Sequence, residues 1–230
     1  MTELAKSIFD LALARRIEPT ACFEKWLDFM IESNDHKWMP GGLREQLAAQ
    51  RDKDPEFFML MLGFYLGVQK AMDRGTWDDQ LGKMYEDLFL TKAKAGSHGQ
   101  FFTPKTVADL MAQCTLREQE QPDFCTVNEP TCGSGRNVLA FEMLRDRSKR
   151  AFYVCEDLDP LCCKMCVCNI MAYGMHGVVI CRDTLAQDWR DAWYVNECQY
   201  PIRHSSLYNS TRHLASQEET DALVARFVRR

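Results

Sequence analysis

The sequence predicts an α/β protein, an open parallel sheet preceded by an all-α N-terminal domain. Three observations carry this expectation. Apolar residues recur at helical spacing through residues 1–92. Beyond about residue 100, short β-prone runs alternate with helical stretches, the pattern of βα units. The first of those runs, Phe124 to Val127, leads through Glu129-Pro130 into a tight Cys132-Gly133-Ser134-Gly135 turn and then a helix. A strand, a glycine turn and a helix in that order aim backbone N–H groups at a ligand.

Each element has its local reason. Leu4, Ile8 and Leu11 share a helical face, and Pro19 marks a stop. Phe23, Trp26, Leu27 and Met30 share the face of a second helix, Cys22 to Ile31. Trp38 to Gly42 reads as a turn and Leu43 to Gln50 as a short helix. Pro55 opens a long helix through about Met72, and Trp77 to Thr91 forms another. Lys92 to Gly99 is polar and glycine-containing, so we place a boundary there, with domains at 1–95 and 96–230. Thr106 to Cys114 is helical, and Asn137 to Arg147 follows the first strand as a helix. Strands are expected at Ala151–Cys155 and Val178–Cys181, with a weaker one at Trp193–Val195. Leu161 to Tyr173 is the helix between the second and third strands, and Ser205 to Ser216 reads as a polar tail. Ser216 and Glu219 form a capping box for a last helix.

Composition narrows the function classes. The net charge of −5 gives no basic footprint of a self-sufficient nucleic-acid binder. Residues 1–10 lack the apolar core of a signal peptide, and Phe57 to Val68 is too short to span a bilayer. The 11 cysteines follow no disulfide framework, so a reducing cytoplasm is expected. Cys163-Lys-Met-Cys166 has the spacing of half a zinc site, but it lies inside a predicted helix and no second pair follows. These thiols read as small buried apolar groups, and no metal is expected. His36, His98 and His176 have no partner spacing that suggests nucleophilic catalysis.

Four features converge on one edge of such a sheet: the Glu129 to Gly135 turn, including Thr131, Cys132, Gly133 and Ser134; Asp157 and Asp183 after the second and third strands; and Gly99-Gln100-Phe101-Phe102-Thr103-Pro104. A carboxylate about 20 residues after the glycine turn suits ribose hydroxyls, and Asp183 suits an exocyclic amine. In these motifs, together with Leu81-Gly82-Lys83-Met84-Tyr85-Glu86, Glu156-Asp157-Leu158-Asp159-Pro160, Asn169 to Gly174 and Arg182-Asp183-Thr184-Leu185, the chain resembles the modification subunit of type I restriction-modification systems, an N6-adenine DNA methyltransferase family. The resemblance covers Asp79 to Leu185.

The resemblance implies a Rossmann-like SAM-dependent methyltransferase sheet with S-adenosyl-L-methionine (SAM) as cofactor. It implies that Phe102, Thr103 and Pro104 line the methionine end and that Glu129 holds the amino group. It implies further that Cys132 and Gly133 would lie against the cofactor through backbone, Asp157 would take the ribose hydroxyls, Leu158 would pack on the adenine and Asp183 would bond its amine. Acidic groups suit a ligand carrying a sulfonium and an ammonium.

The family's Asn-Pro-Pro-aromatic tetrapeptide is not recognisable. The corresponding stretch, Trp193 to Pro201, offers Asn196 and Tyr200 as catalytic candidates. Their role would be to accept the target amine's hydrogens and stack on a flipped base. DNA is the expected partner, reached through a complex with a specificity subunit or a second copy of the chain. A short sheet and the missing tetrapeptide leave two expectations open: DNA adenine-N6 methyl transfer, or a catalytically inactive SAM-binding relative.

Overall fold

The computed structural model describes residues 1–35, 43–89, 102–116, 122–197 and 210–228. The chain is a mixed α/β structure, with nine helices and one five-stranded sheet among the described residues. Five helices come first: α1 (Glu3–Arg15), α2 (Pro19–Ser33), α3 (Leu43–Lys53), α4 (Pro55–Asp73) and α5 (Gln80–Phe89). Two of their starts follow side-chain capping chemistry. Thr2 Oγ1 accepts from the Ala5 N–H at 3.2 Å, and Asp54 Oδ1 accepts from the Phe57 N–H at 3.0 Å ahead of Pro55. The second half runs α6 (Lys105–Thr115), β1 (Phe124–Glu129), α7 (Arg136–Leu144), β2 (Arg150–Asp157), α8 (Pro160–Ala172), β3 (Gly177–Asp183), β4 (Asp188–Val195), β5 (Thr211–Leu214) and α9 (Gln217–Val228).

The strands lie in the order β1-β2-β3-β4-β5. β1, β2 and β3 are parallel, as the βα alternation predicts. The sheet is not parallel throughout, however, because β4 pairs antiparallel with β3, and β5 with β4. The connection from Asp183 to Asp188 explains this correction. It is far too short for the dozen or more residues that a parallel crossover needs. Asp183 Oδ1 instead accepts the N–H groups of Leu185 and Ala186, both at 2.9 Å, and folds the chain back as a hairpin. A second correction is β5, which occupies part of the expected polar tail. Thr211 and Leu214 are buried and His213 is exposed, so burial does not alternate along this short strand and the polar composition gives no strand signal.

Packing covers both faces of the sheet. On one, Tyr153, Cys155, Val179 and Trp193 join a core built with α7, α8 and the N-terminal helices. On the other, Phe152, Val154, Val178 and Ile180 pack beneath α9, where the Phe152 and Phe227 rings stack 4.0 Å apart. The expected domain boundary lies outside the described residues. The larger core runs from one side of it to the other, holding Phe23, Trp26, Leu27 and Leu81 together with Cys166, Met171 and Val195. Lys164 of α8 sits between Glu24 and Asp28 of α2, at 2.9 and 2.8 Å. Thr211 of β5 donates through N–H to Asn34 O and through Oγ1 to Ile31 O, at 2.8 and 2.9 Å. Among the described residues no helix is long and apolar enough to cross a membrane.

Candidate functional site

Parallel strands place their C-terminal ends, and the loops that follow, along one edge. Here that edge carries Glu129 from β1, Asp157 from β2 and Asp183 from β3. The glycine turn bends back onto β2. Cys132 N–H donates to Glu156 O at 2.7 Å, and Gly133 N–H donates to the Asp157 carboxylate at 2.8 Å. Gly135 N–H closes the turn on Cys132 O at 2.8 Å. Gly135 caps α7 at φ 91°, a conformation that favours glycine, and a Cβ there would also lie 3.1 Å from Cys166 Sγ, a tight contact. The third strand end is tied in by Thr184 Oγ1, which donates to Pro130 O at 3.0 Å.

The other expected residues distribute around this turn. The Phe102 ring lies against Gly133 and meets Tyr85 edge-on, centroids 5.5 Å apart. Thr103 O accepts from Arg136 at 2.9 Å, and Pro104 caps α6. Glu129 accepts from Thr131 at 3.5 Å through Oε1 and from Asn137 at 3.3 Å through Oε2. Leu158 is 51% exposed at the end of β2, an apolar side chain open at the strand edge. Phe101 and the preceding Gly99-Gln100 lie outside the described residues.

The turn is anchored from below by Asp79, which the sequence reading did not single out. Its carboxylate is 1% exposed and accepts four hydrogen bonds. The donors are Gly82 N–H at 2.8 Å, Ser134 Oγ at 2.6 Å, Arg136 Nε at 2.9 Å and Asn169 Nδ2 at 2.9 Å. Asn169 also donates to Ser134 O at 2.8 Å. Ser134 is thus a structural anchor of the turn. Arg136 reaches further, to Glu86 at 3.2 Å. Burial works against its charge, but Asp79 and Glu86 outweigh burial and raise its pKa. The chain carries only local traces of this cluster, an acid two residues before Leu81-Gly82 and a base immediately after Gly135, and nothing in them joins the two.

Beneath the turn lie the thiols. Cys162, Cys163, Cys166 and Cys168 are buried in α8, and all ten described cysteines are free. Cys132 is pushed up to about 11, since its hydrogen bond with Cys166 lowers it less than burial, Cys155, Asp157 and Glu129 raise it. Such thiols pack as apolar groups, and among the described residues no His, Cys, Asp and Glu cluster could hold a metal.

The family model for N-6 DNA methylases matches residues 76–220, more than half of the chain. The chain belongs to the N-6 DNA methylase family. Comparison with curated proteins and with solved structures gave no match. The match begins just before Asp79, so the buried anchor of the turn belongs to the methylase segment.

In this member of the N-6 DNA methylase family, Asn196 does not stand at the strand edge that the sequence suggests for it. Because β4 runs antiparallel, Val195 pairs with Gly177, at the start of β3 and the far end from Asp157. Asn196 is fully buried there, at φ 58°. Its Nδ2 donates to Met175 O at 2.8 Å and Met171 O at 3.2 Å, and its Oδ1 accepts from Ser210 N–H at 3.1 Å. It therefore ties down the C-terminus of α8 and is not positioned to hold a substrate amine at the strand ends. Tyr200 lies outside the described residues.

Proposed function

We propose that this chain is a SAM-dependent DNA adenine-N6 methyltransferase-like protein, built on a Rossmann-like half-sheet and related to type I modification subunits. The observation that carries the reading is the Gly133 to Asp157 hydrogen bond, which joins the glycine turn to the carboxylate at the end of β2. The residues present suit the cofactor. Carboxylates stand at three adjacent strand ends, Glu129, Asp157 and Asp183, and complement a sulfonium and an ammonium. Exposed Leu158 offers apolar surface for a purine, and Phe102 with Thr103 and Pro104 closes the side of the turn. Bound there, SAM supplies an electrophilic methyl group. The chain's part is to orient it, exclude water and present an amine that gives up a proton.

The target base would have to be extruded from a duplex or arrive single-stranded. With a net charge of −5, binding to DNA would depend on a partner, either a specificity subunit or a second copy of the chain. Calorimetric titration with SAM, followed by tritiated-methyl transfer to mixed-sequence DNA, tests the proposal. Binding with transfer is expected. Binding without transfer, in the presence of DNA of every sequence context, would leave a SAM-binding relative without activity. No binding would remove the cofactor from the reading.

A further inference from the structure

The stretch from Phe57 to Val68, the middle of α4, holds twelve residues without a charge. A helix that is apolar all round needs cover all round. Phe57, Met61, Phe64 and Val68 receive it from the core of the N-terminal helices. Among the described residues the opposite side does not. Met59 is 64% and Leu66 61% exposed, and Gly63 between them is exposed as well. These three positions follow one another at helical spacing and form a single stripe.

Between this side of α4 and α1 runs a groove of about 690 Å³. Leu4 and Leu11 of α1 and Leu60 of α4 are its more buried members, and Met59 and Gly63 lie at its open side. The rim is acidic. Glu3 and Asp10 stand on the α1 side, two helical turns apart, and Glu56 stands on the α4 side. Among the described residues no lysine or arginine lines the groove. Arg15, at the end of α1, is held by Asp54 and Glu56 at 2.8 and 2.5 Å. Neither Glu3 nor Asp10 is in an ion pair among the described residues. Gly63 has no internal reason to be glycine. A Cβ there would meet nothing within 4 Å, whereas at Gly67, one turn on, it would come within 2.5 Å of Gln80. Glycine in a helix interior is destabilising relative to alanine, and what it gives in return is room for another backbone to come close.

These features define what fits. A groove between two helices suits a third, amphipathic helix whose apolar anchors recur at i, i+3, i+4 and i+7. Carboxylates on both rims select a helix flanked by lysine or arginine. The same carboxylates repel nucleic acid and an anionic membrane surface. A second copy of this chain would set one acidic rim against another, because a two-fold interface uses the same patch on both sides. We propose that the groove between α1 and α4 docks an amphipathic helix of a basic partner protein. The apolar face of that helix seats on Met59, Leu60 and Leu66, its backbone passes closest at Gly63, and its basic side chains face Glu3 and Asp10. The proposal is independent of the methyltransferase reading, since all of these residues precede the matched segment, 76–220.

The test uses the full chain and two synthetic peptides of about five helical turns, ~18 residues. Both carry leucines at i, i+3, i+4 and i+7 and are held helical by a hydrocarbon staple on the outer face. One has lysines flanking the leucines, the other glutamates, and binding is read by fluorescence anisotropy. The lysine peptide is expected to bind, less tightly as salt is raised. The glutamate peptide should bind roughly tenfold more weakly, the sum of two or three exposed charge pairs turned from attraction to repulsion. Asp10→Lys should narrow that difference about threefold, whereas Asp123→Lys, the same change at an exposed site just before β1, should leave it unaltered. Gly63→Leu fills the notch without an internal clash, so it should keep the parent chain's circular dichroism and abolish binding of the lysine peptide. Equal affinity for the two peptides, binding of neither, or a lysine peptide held as tightly by Gly63→Leu overturns the proposal. So does a chain that sediments as a dimer and becomes a monomer in Gly63→Leu, because the groove then belongs to a second copy.

Discussion

Single residues in this chain divide into those that face a ligand and those that hold the frame, and the division does not follow residue type. Asp157 ends one strand and Asn196 follows another, and the direction of the strand separates their places in the fold. Asp157→Ala should weaken SAM binding by about 1.5–3 kcal/mol, the range for hydrogen bonds to a charged group, and unchanged calorimetric affinity would take Asp157 out of the site. Asn196→Ala should instead lower folding stability by roughly 1–3 kcal/mol, because the carbonyls of Met171 and Met175 and the Ser210 N–H lose a buried partner. Denaturant titration reads this directly, and a variant of normal stability would mean that the cap is dispensable. His176 gives a pH signature of its own. Its ring lies 5.1 Å from Phe152 and 5.3 Å from Phe227, and burial lowers its pKa from 6.5 to about 4. The unfolded chain then takes up a proton at a pH where the native chain does not. Stability should be full above pH 6.5 and decline as the pH falls towards 4, by an amount on the order of 3 kcal/mol if His176 acted alone. His176→Phe should flatten that decline, and an unaltered acid limb would show that other groups govern it.

Among the elements, the glycine turn is the one whose shape the rest of the site depends on, and its conformation is fixed from outside itself. Asp79, just ahead of α5, holds Ser134 and Arg136 on either side of Gly135. Gly82 is required at the same point, since a Cβ there would come within 2.0 Å of the Asp79 carboxylate. Asp79→Ala would leave Arg136, 11% exposed, without its closest counter-charge. We expect a loss of about 3–5 kcal/mol in stability, the usual consequence of breaking a buried pair, together with weaker SAM binding. Measured stability within 1 kcal/mol of the parent chain, as an order-of-magnitude bound, would refute the anchoring role. These elements also show what could be read from the chain. The βα alternation and the motifs from Phe102 to Asp183 marked the turn and the three strand ends, because glycine, proline and strand-end carboxylates leave local signatures. The β4 hairpin and β5 were not legible in that way. Hairpin return is decided by loop length against crossover length, and β5 is polar on its exposed side and held by α2, a helix some 180 residues away. The Asp79 cluster escaped for the same reason, since its members are separated by up to 90 residues.

For the whole molecule, the N-terminal helices are part of the structure that carries the sheet. Trp26, Leu27 and Met30 of α2 lie in one core with Cys168 and Met171 of α8, and Trp77 stacks on Tyr173 at 4.6 Å. α8 has buried residues around nearly its whole circumference, from Cys162 to Ala172, so it needs cover from the N-terminal helices as well as from β2 and β3. Single-tryptophan variants that retain Trp26 in the helices or Trp193 in the sheet should therefore report the same unfolding midpoint in denaturant. Both indoles are buried, at 0% and 5% exposure, so each should shift its emission on unfolding. A fragment of residues 76–230, which keeps the segment that matches the family and all of α9, should not unfold cooperatively, since it would expose the apolar side of α8 that α2 covers in the full chain. Two separated midpoints, or a fragment that melts in a sharp transition, would instead establish that the sheet folds by itself and that the helices are an attachment to it.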